Sequence, residues 1–513
     1  MTKNRYIKLS LLVAAMFVSG SCSDDFLDVD PVASKLEINY YQNQEEAYAA
    51  LVAAYDPVGW IGSNYVSKLF ATNVASDDFN AGGGSSSDQP DIQAMSNYSL
   101  NEARGPQGEL WNKGYSGIFR ANILMEKLPG IPGMSESLKT RYNAEAKFLR
   151  AFYYFDLIRF FYKIPLMTET ILPEDVLTVE QVEREQVYEQ IETDLLDAIP
   201  HLPATVNVSN EGGRATEGAA RALLGKLYLE MERFSDAAAQ FEKVNGTPGG
   251  TSQYGYSLLD NFADLFKVGN EFNSESIFEV AHSSESNTGW DCIPCTEGNV
   301  LNHIAAPRSY TVTDSLSTSI PRYVSGYGFC VPTQGLADAF NLGGGNYDPR
   351  YSATLTNLDS LQEIGAISYG ESYQNSGYVL RKFAGTQQNV STGSGAVELN
   401  FPQNTYEIRL ADTYLLEAEA LVRGGVGQER AQSLLDAVRE RVGLESVPVN
   451  MDNILRERRL ELAGEGQRWF DLMRNGRVTQ GLTEKGFTPG KNERLPIPLR
   501  ELTDTMLEQD PNY

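Results

Sequence analysis

Apolar residues recur at steps of three and four along most of this 513-residue chain. The clearest run is 138–161, where Leu149, Phe152, Tyr153, Leu157 and Phe160 share a face before Pro165 intervenes. That period belongs to a helix, because the two-residue alternation of a strand would scatter these residues over both faces. Similar runs predict helices over 45–55, 107–128 and 183–199. Breakers separate them: Gly130, Pro132 and Gly133 after the second, Pro200 and Pro203 after the last.

Two further runs, 217–233 and 236–244, form a helix–turn–helix. Within it Gly225, Tyr228, Ala237 and Phe241 fall at the spacing of a tetratricopeptide repeat, small residues letting two helices approach and large ones filling the groove. A second pair, 406–422 and 428–442, is joined by Gly424 and Gly425. About four such pairs are expected, with long insertions, so the chain is not a solenoid of uniform repeats. Residues 281–405 change character. They are rich in Gly, Ser, Asn, Thr and Tyr, with few helical windows and short alternating stretches such as 378–383. Residues 76–96, containing Gly82, Gly83 and Gly84 followed by three serines, read the same way. The expected fold is mainly α: tetratricopeptide-like pairs forming a scaffold, large irregular loops and a few short strands. Loops on a rigid scaffold are where binding residues concentrate.

Hydrophobic residues make up 42% of the chain, enough for a large core. The formal charge is −26. An acidic surface repels phosphate backbones, which argues against a nucleic-acid partner.

The N-terminus reads as an address. Lys3, Arg5 and Lys8 precede an apolar run over 9–18, and small residues Ser19, Gly20 and Ser21 follow. This is the layout of a secretory leader, and the run is too short to span a bilayer. Cys22 comes next, an arrangement that resembles the lipobox of bacterial lipoproteins, although Ser19 stands where Leu is usual. The expectation is a leader over 1–21, lipid on Cys22, and one mature domain over 22–513. That domain has a helical part (about 40–280), a loop-rich ligand-binding part (about 281–405) and a closing helical part (about 406–513). Ser23, Asp24 and Asp25 resemble a surface-export signal.

Little in the sequence carries chemistry. His201, His282 and His303 are far apart, and no metal-ligand spacing, nucleophile elbow, phosphate loop or dinucleotide pattern is present. No cofactor is expected, and calcium on scattered loop oxygens stays open. Cys292 and Cys295 flank Ile293 and Pro294. With Cys330 they make either one local disulfide and a free thiol or three free thiols. Glu145, Arg150, Arg409, Glu417, Glu457, Arg458, Glu461, Arg468 and Asp471 look like an acid–base set. A glycosidase needs one carboxyl with a raised pKa, and a neighbouring Arg lowers it. The set therefore reads as ion-paired helix packing, with Arg partners on the same helices.

Several segments together closely resemble the SusD/RagB family of nutrient-capture lipoproteins. They are 25–31 after the cysteine; Trp111, Tyr115 and Asn122; 144–159 with Pro165 and Leu166; 409–420; 457–472; and the ending from Leu495 to Tyr513. They occur in the family's order over nearly the whole chain, and the loops of 281–405 match least. The resemblance implies a lipid-anchored protein of the outer membrane, facing outward, that partners a SusC-like TonB-dependent transporter. It implies a glycan ligand, with peptides or other nutrients in some relatives, and no enzymatic activity.

The resemblance does not place the ligand. Sugar rings offer flat C–H faces to aromatic side chains, and their hydroxyls need polar neighbours. Trp290 lies in a Gly/Asn/Ser-rich loop, with Tyr310, Tyr323 and Tyr327 in the same irregular stretch. Asp77, Asp78, Asn80 and Tyr98 flank the other loop, and Trp60 follows the first helix. These are the candidate ligand-binding residues. The competing reading is that loop rings plug small satellite cores. Trp111 and Trp469 sit inside helical segments and read as core. Capture of a glycan, capture of a peptide, a surface glycoside hydrolase using a pair such as Glu457 and Glu461, and a purely structural adaptor are the functions to separate.

Overall fold

A computed structural model describes residues 40–513 apart from 63, 173 and 314–317. The leader and Cys22 lie outside the described residues. The longer helices are α1 (Gln44–Tyr55), α2 (Lys68–Ala75), α3 (Pro90–Ser96), α4 (Gln107–Lys127), α5 (Glu136–Phe161) and α6 (Arg184–Ala198). They continue with α7 (Glu217–Glu230), α8 (Phe234–Asn245), α9 (Leu410–Arg423), α10 (Gln428–Glu440), α11 (Met451–Glu461) and α12 (Arg468–Arg474). The fold is mainly helical, with a few short strands.

The helices begin where their sequences supply caps. The Ser135 hydroxyl accepts from the Leu138 amide at the start of α5, and the Thr216 hydroxyl accepts from Ala219 at the start of α7. Each satisfies one amide that the helix leaves unpaired. α5 is buried over most of its circumference because α4 and α6 pack on it from two sides. α7 packs on α8, α8 on α9, and α9 on α10 and α11. Among the described residues one hydrophobic core runs from Ala54 to Ile497, with three smaller satellites.

The α7–α8 pair shows why a small residue is needed at the crossing. A Cβ built on Gly225 would stand 2.7 Å from the ring of Phe241, itself fully buried. Gly225→Ala is expected to destabilise the protein by about 1–3 kcal/mol through overpacking. Urea unfolding measures this, and an unchanged midpoint would contradict the close crossing.

The expected helix 406–422 begins differently. Thr405–Arg409 is a strand, paired antiparallel with Ser276–Val280, and the chain turns helical only at Leu410. Arg409 is extended at the junction. The apolar spacing of this run suits either element, and the partner strand that decides the matter lies some 130 residues upstream. The loop-rich part is built of two-stranded antiparallel ribbons. They include Arg308–Val312 with Ile367–Gly370, and Tyr378–Leu380 with Leu355–Asn357.

Candidate functional site

Three separate segments bring aromatic rings together at the surface. Trp290, at the tip of the loop over 283–298, is 46% exposed. Its ring meets that of Tyr65 edge to face, with centroids 6.3 Å apart, and Tyr65 lies the same distance from Tyr327. Tyr327 packs edge to face on His303 at 4.5 Å.

Local backbone chemistry fixes each ring. Tyr65 sits in a tight turn before α2, where the Tyr65 amide donates to Gly62 O and the Gly62 amide to Val66 O. Its φ is +61°, a conformation uncommon for a residue with a side chain. Tyr327 follows Gly326, whose missing side chain matters: a Cβ there would collide with the carbonyl of His303 and with Ala306. That close approach lets the Tyr327 amide donate to His303 O. The stem of the Trp290 loop is held by the segment over 391–400. Asn400 Oδ1 accepts from Ser286 Oγ and the Thr288 amide, Asn400 Nδ2 donates to Thr288 O, and the Ala396 amide donates there too.

Polar groups surround the rings. Arg308 Nη1 donates to Tyr327 O at 3.1 Å, and Asp88 accepts from the Gly84 amide at 2.7 Å, placing the Gly/Ser-rich loop beside Arg308. Burial, then the charges of Glu398 and Asp88, raise the Tyr65 hydroxyl's pKa. Burial, Tyr65 and Glu398 push Tyr327 up to about 12. Both phenols therefore stay protonated as hydrogen-bond donors at neutral pH. Burial lowers the pKa of His303, with Glu398 opposing, so its ring is neutral there. His303 Nδ1 is buried without a hydrogen-bond partner among the described residues. The arrangement offers an apolar platform with donors and carboxylates at its rim, the chemistry that suits a sugar ring.

The remaining sequence candidates lie elsewhere. Tyr310 and Tyr323 are 3% and 1% exposed and pack on each other in a satellite core. The Tyr310 hydroxyl donates to Pro321 O, and the Tyr323 hydroxyl pairs with Thr356 at 2.7 Å. They have no free face and do not belong to the platform. Tyr98 is likewise buried against Phe487, its hydroxyl bonded to Ala75 O. Asp77 binds Arg468 through both oxygens, and the fully buried Asp78 pairs with Arg459. Both tie the loop after α2 to the C-terminal helices. Asn80 is half-buried in the strand Phe79–Gly82, opposite Val331. Trp60 donates its indole N–H to Asp56, and Arg120 covers its ring at 4.8 Å. Tyr65 was not among the sequence candidates, although Gly62, Ser63 and Asn64 mark its turn as they mark the Trp290 loop. Arg308, Asp88 and Glu398 carry no local signal.

Two family models match the chain, one described as the SusD family over 274–494 and one as starch-binding associating with outer membrane over 25–229. A solved laminarin-binding SusD-like protein is 48% identical, with a TM-score of 0.87, over 92% of this chain and 100% of that one. The chain belongs to the SusD family. Surface glycan-binding protein A from Bacteroides thetaiotaomicron, solved with laminarihexaose, is 27% identical over 92% of this chain and all of that one, with a TM-score of 0.80. The curated SusD-like protein P25 of Formosa agariphila is 26% identical over 98% of this chain and 99% of its own.

The acid–base set of this SusD-family chain is buried away from any platform. Glu461 is fully buried between Arg350, Arg409 and Arg441, at 3.0 Å from the first and 2.7 Å from the second. Glu457 pairs with Arg350 and Arg439. The partners come mostly from other elements, not from the same helix as the sequence suggested: Arg350 from a turn, Arg409 from a strand, Arg439 from α10. Burial pushes the Glu461 carboxyl up, but the three guanidiniums outweigh it and hold it well below the usual carboxylate range. An ionised carboxylate sealed from solvent cannot serve as a general acid toward a glycan.

Proposed function

We propose that this protein captures a neutral glucan of the laminarin kind at the outer face of the outer membrane and passes it intact to a TonB-dependent transporter. The observation that carries the reading is the surface cluster of exposed Trp290 with half-buried Tyr65 and Tyr327. Its shape suits a ring face, and its rim suits hydroxyls. The 48% identical neighbour is named as laminarin-binding, and the 27% identical one was solved with laminarihexaose. The leader and Cys22 support anchoring by lipid, which needs no spanning helix; none among the described residues is long and apolar enough to cross a membrane. Capture without turnover is supported by the burial of Glu457 and Glu461.

Calorimetry of the purified protein against laminarin, starch, an anionic polysaccharide and mixed peptides tests this. Laminarin is expected to bind, to release no reducing ends, and to show little salt dependence, since screening acts on charged pairs. Binding to peptides with silence on every glycan would overturn it. Copurification with a TonB-dependent transporter from membranes tests delivery.

A further inference from the structure

We propose that the disulfide between Cys292 and Cys295 is a positioning element of the platform: it holds Trp290 against Tyr65 in advance of the ligand. The proposal rests on the glycan-capture reading. Cys292 and Cys295 are bridged, and Cys330 is free and buried.

The argument lies in how the tip of the loop is tied down. On its upstream side Thr288 is fixed, its amide and carbonyl both bonded to Asn400. On its downstream side Cys295 is fixed, its carbonyl accepting from Thr288 Oγ1 at 3.1 Å, and the Thr296 hydroxyl donates to Leu399 O. Between these anchors the backbone hydrogen bonds are local: Cys292 to Gly289, Cys295 to Cys292 and Thr296 to Ile293. Among the described residues Trp290 makes one ring contact, with Tyr65, and it is 46% exposed. The bridge returns Cys292 covalently to the anchored Cys295. Trp290 then sits on a three-residue span, 289–291, between two fixed points. Without the bridge Cys292 is held only by its local backbone bonds and by the packing of Ile293 on the main core, and the indole must be more fully ordered when the ligand arrives. Ordering on binding weakens affinity, and a side chain held ready avoids that loss. Cys295 is exposed, so the bridge is open to reagents.

The test uses the full chain in detergent, laminarihexaose as probe, and dithiothreitol as reductant. Reduction breaks one S–S bond; the dithiol supplies two electrons and two protons, leaves as a cyclic disulfide, and two protein thiols result. Reduced protein is expected to bind about tenfold more weakly, the effect of ordering one aromatic side chain. Cys292→Ser with Cys295→Ser should match it, and reoxidation of the wild type should restore affinity. In Trp290→Ala, reduction should change nothing further. Equal affinity of oxidised and reduced protein overturns the proposal, and so does an undiminished reduction effect in Trp290→Ala, which would place the bridge's action elsewhere. If the oxidised wild type binds no laminarihexaose, the capture reading fails on its own account. Positioning is then read from Trp290 emission, isolated as the difference between wild type and Trp290→Phe. A shift on reduction supports it, and an unchanged difference spectrum overturns it.

Discussion

Trp290→Ala is expected to weaken laminarihexaose binding about a hundredfold, the loss typical of an aromatic hot spot worth about 2–4 kcal/mol. The thermal midpoint should stay where it is. Trp290 is 46% exposed and belongs to none of the core clusters, so its removal opens no cavity in the core. This separation of affinity from stability makes the result informative. A Tyr323→Ala control should behave in the opposite way, since that ring fills a satellite core and its hydroxyl is paired with Thr356. Calorimetry and a thermal melt on each variant suffice. Unaltered affinity in Trp290→Ala would remove the platform from the binding site.

Arg409→Ala is expected to lower stability by about 3–5 kcal/mol, because it leaves buried carboxylates without their counter-charge. Arg409 faces Glu461 at 2.7 Å, Glu465 at 2.7 Å and Glu275 at 3.3 Å, all deeply buried. The pH dependence follows in sign. Glu461 is held well below the usual range, with burial opposed by Arg441, Arg409 and Arg350, and Glu465 is also lowered, burial there being opposed by Arg409 and Lys382. A carboxylate with a depressed folded pKa contributes stability that is fully present above its unfolded value, about 4.3, and is lost as pH falls below it. The wild type should therefore be most stable above about pH 4.3 and lose stability as acid protonates this cluster. Arg409→Ala should unfold at a higher pH, as circular dichroism against pH would show. Coincident acid midpoints would mean that the cluster does not tie stability to charge.

The helices were legible because their evidence is local. Leu149, Phe152 and Phe160 announce a buried face by spacing alone, and Gly225 with Phe241 announces a crossing. What was not legible is whatever depends on a distant partner. Tyr323 and Tyr327 stand four residues apart in the same irregular stretch. One is sealed by Thr356 and the other leans on His303 beside Tyr65, and no property of the stretch itself separates them. Asp77 and Asp78 resemble solvent-facing loop acids until Arg459 and Arg468 arrive from nearly 400 residues away. Trp290 could be recognised as unlike a core residue because nothing around it is periodic. Its neighbour Tyr65 is supplied by a turn more than 200 residues upstream.

The stem of the Trp290 loop is fastened through Asn400 and main-chain groups, and its far side through the Cys292–Cys295 bridge and Ile293 on the main core, so these anchors flank residues 289–291. Such a tip can be exchanged or lengthened like a tool head on a fixed handle, since doubling a loop adds only about 0.6 kcal/mol of closure entropy. Grafting the corresponding tip of a relative onto residues 289–291, between Thr288 and the bridged Cys292, is thus a route to altered cargo preference that leaves the folding of the helical body untouched.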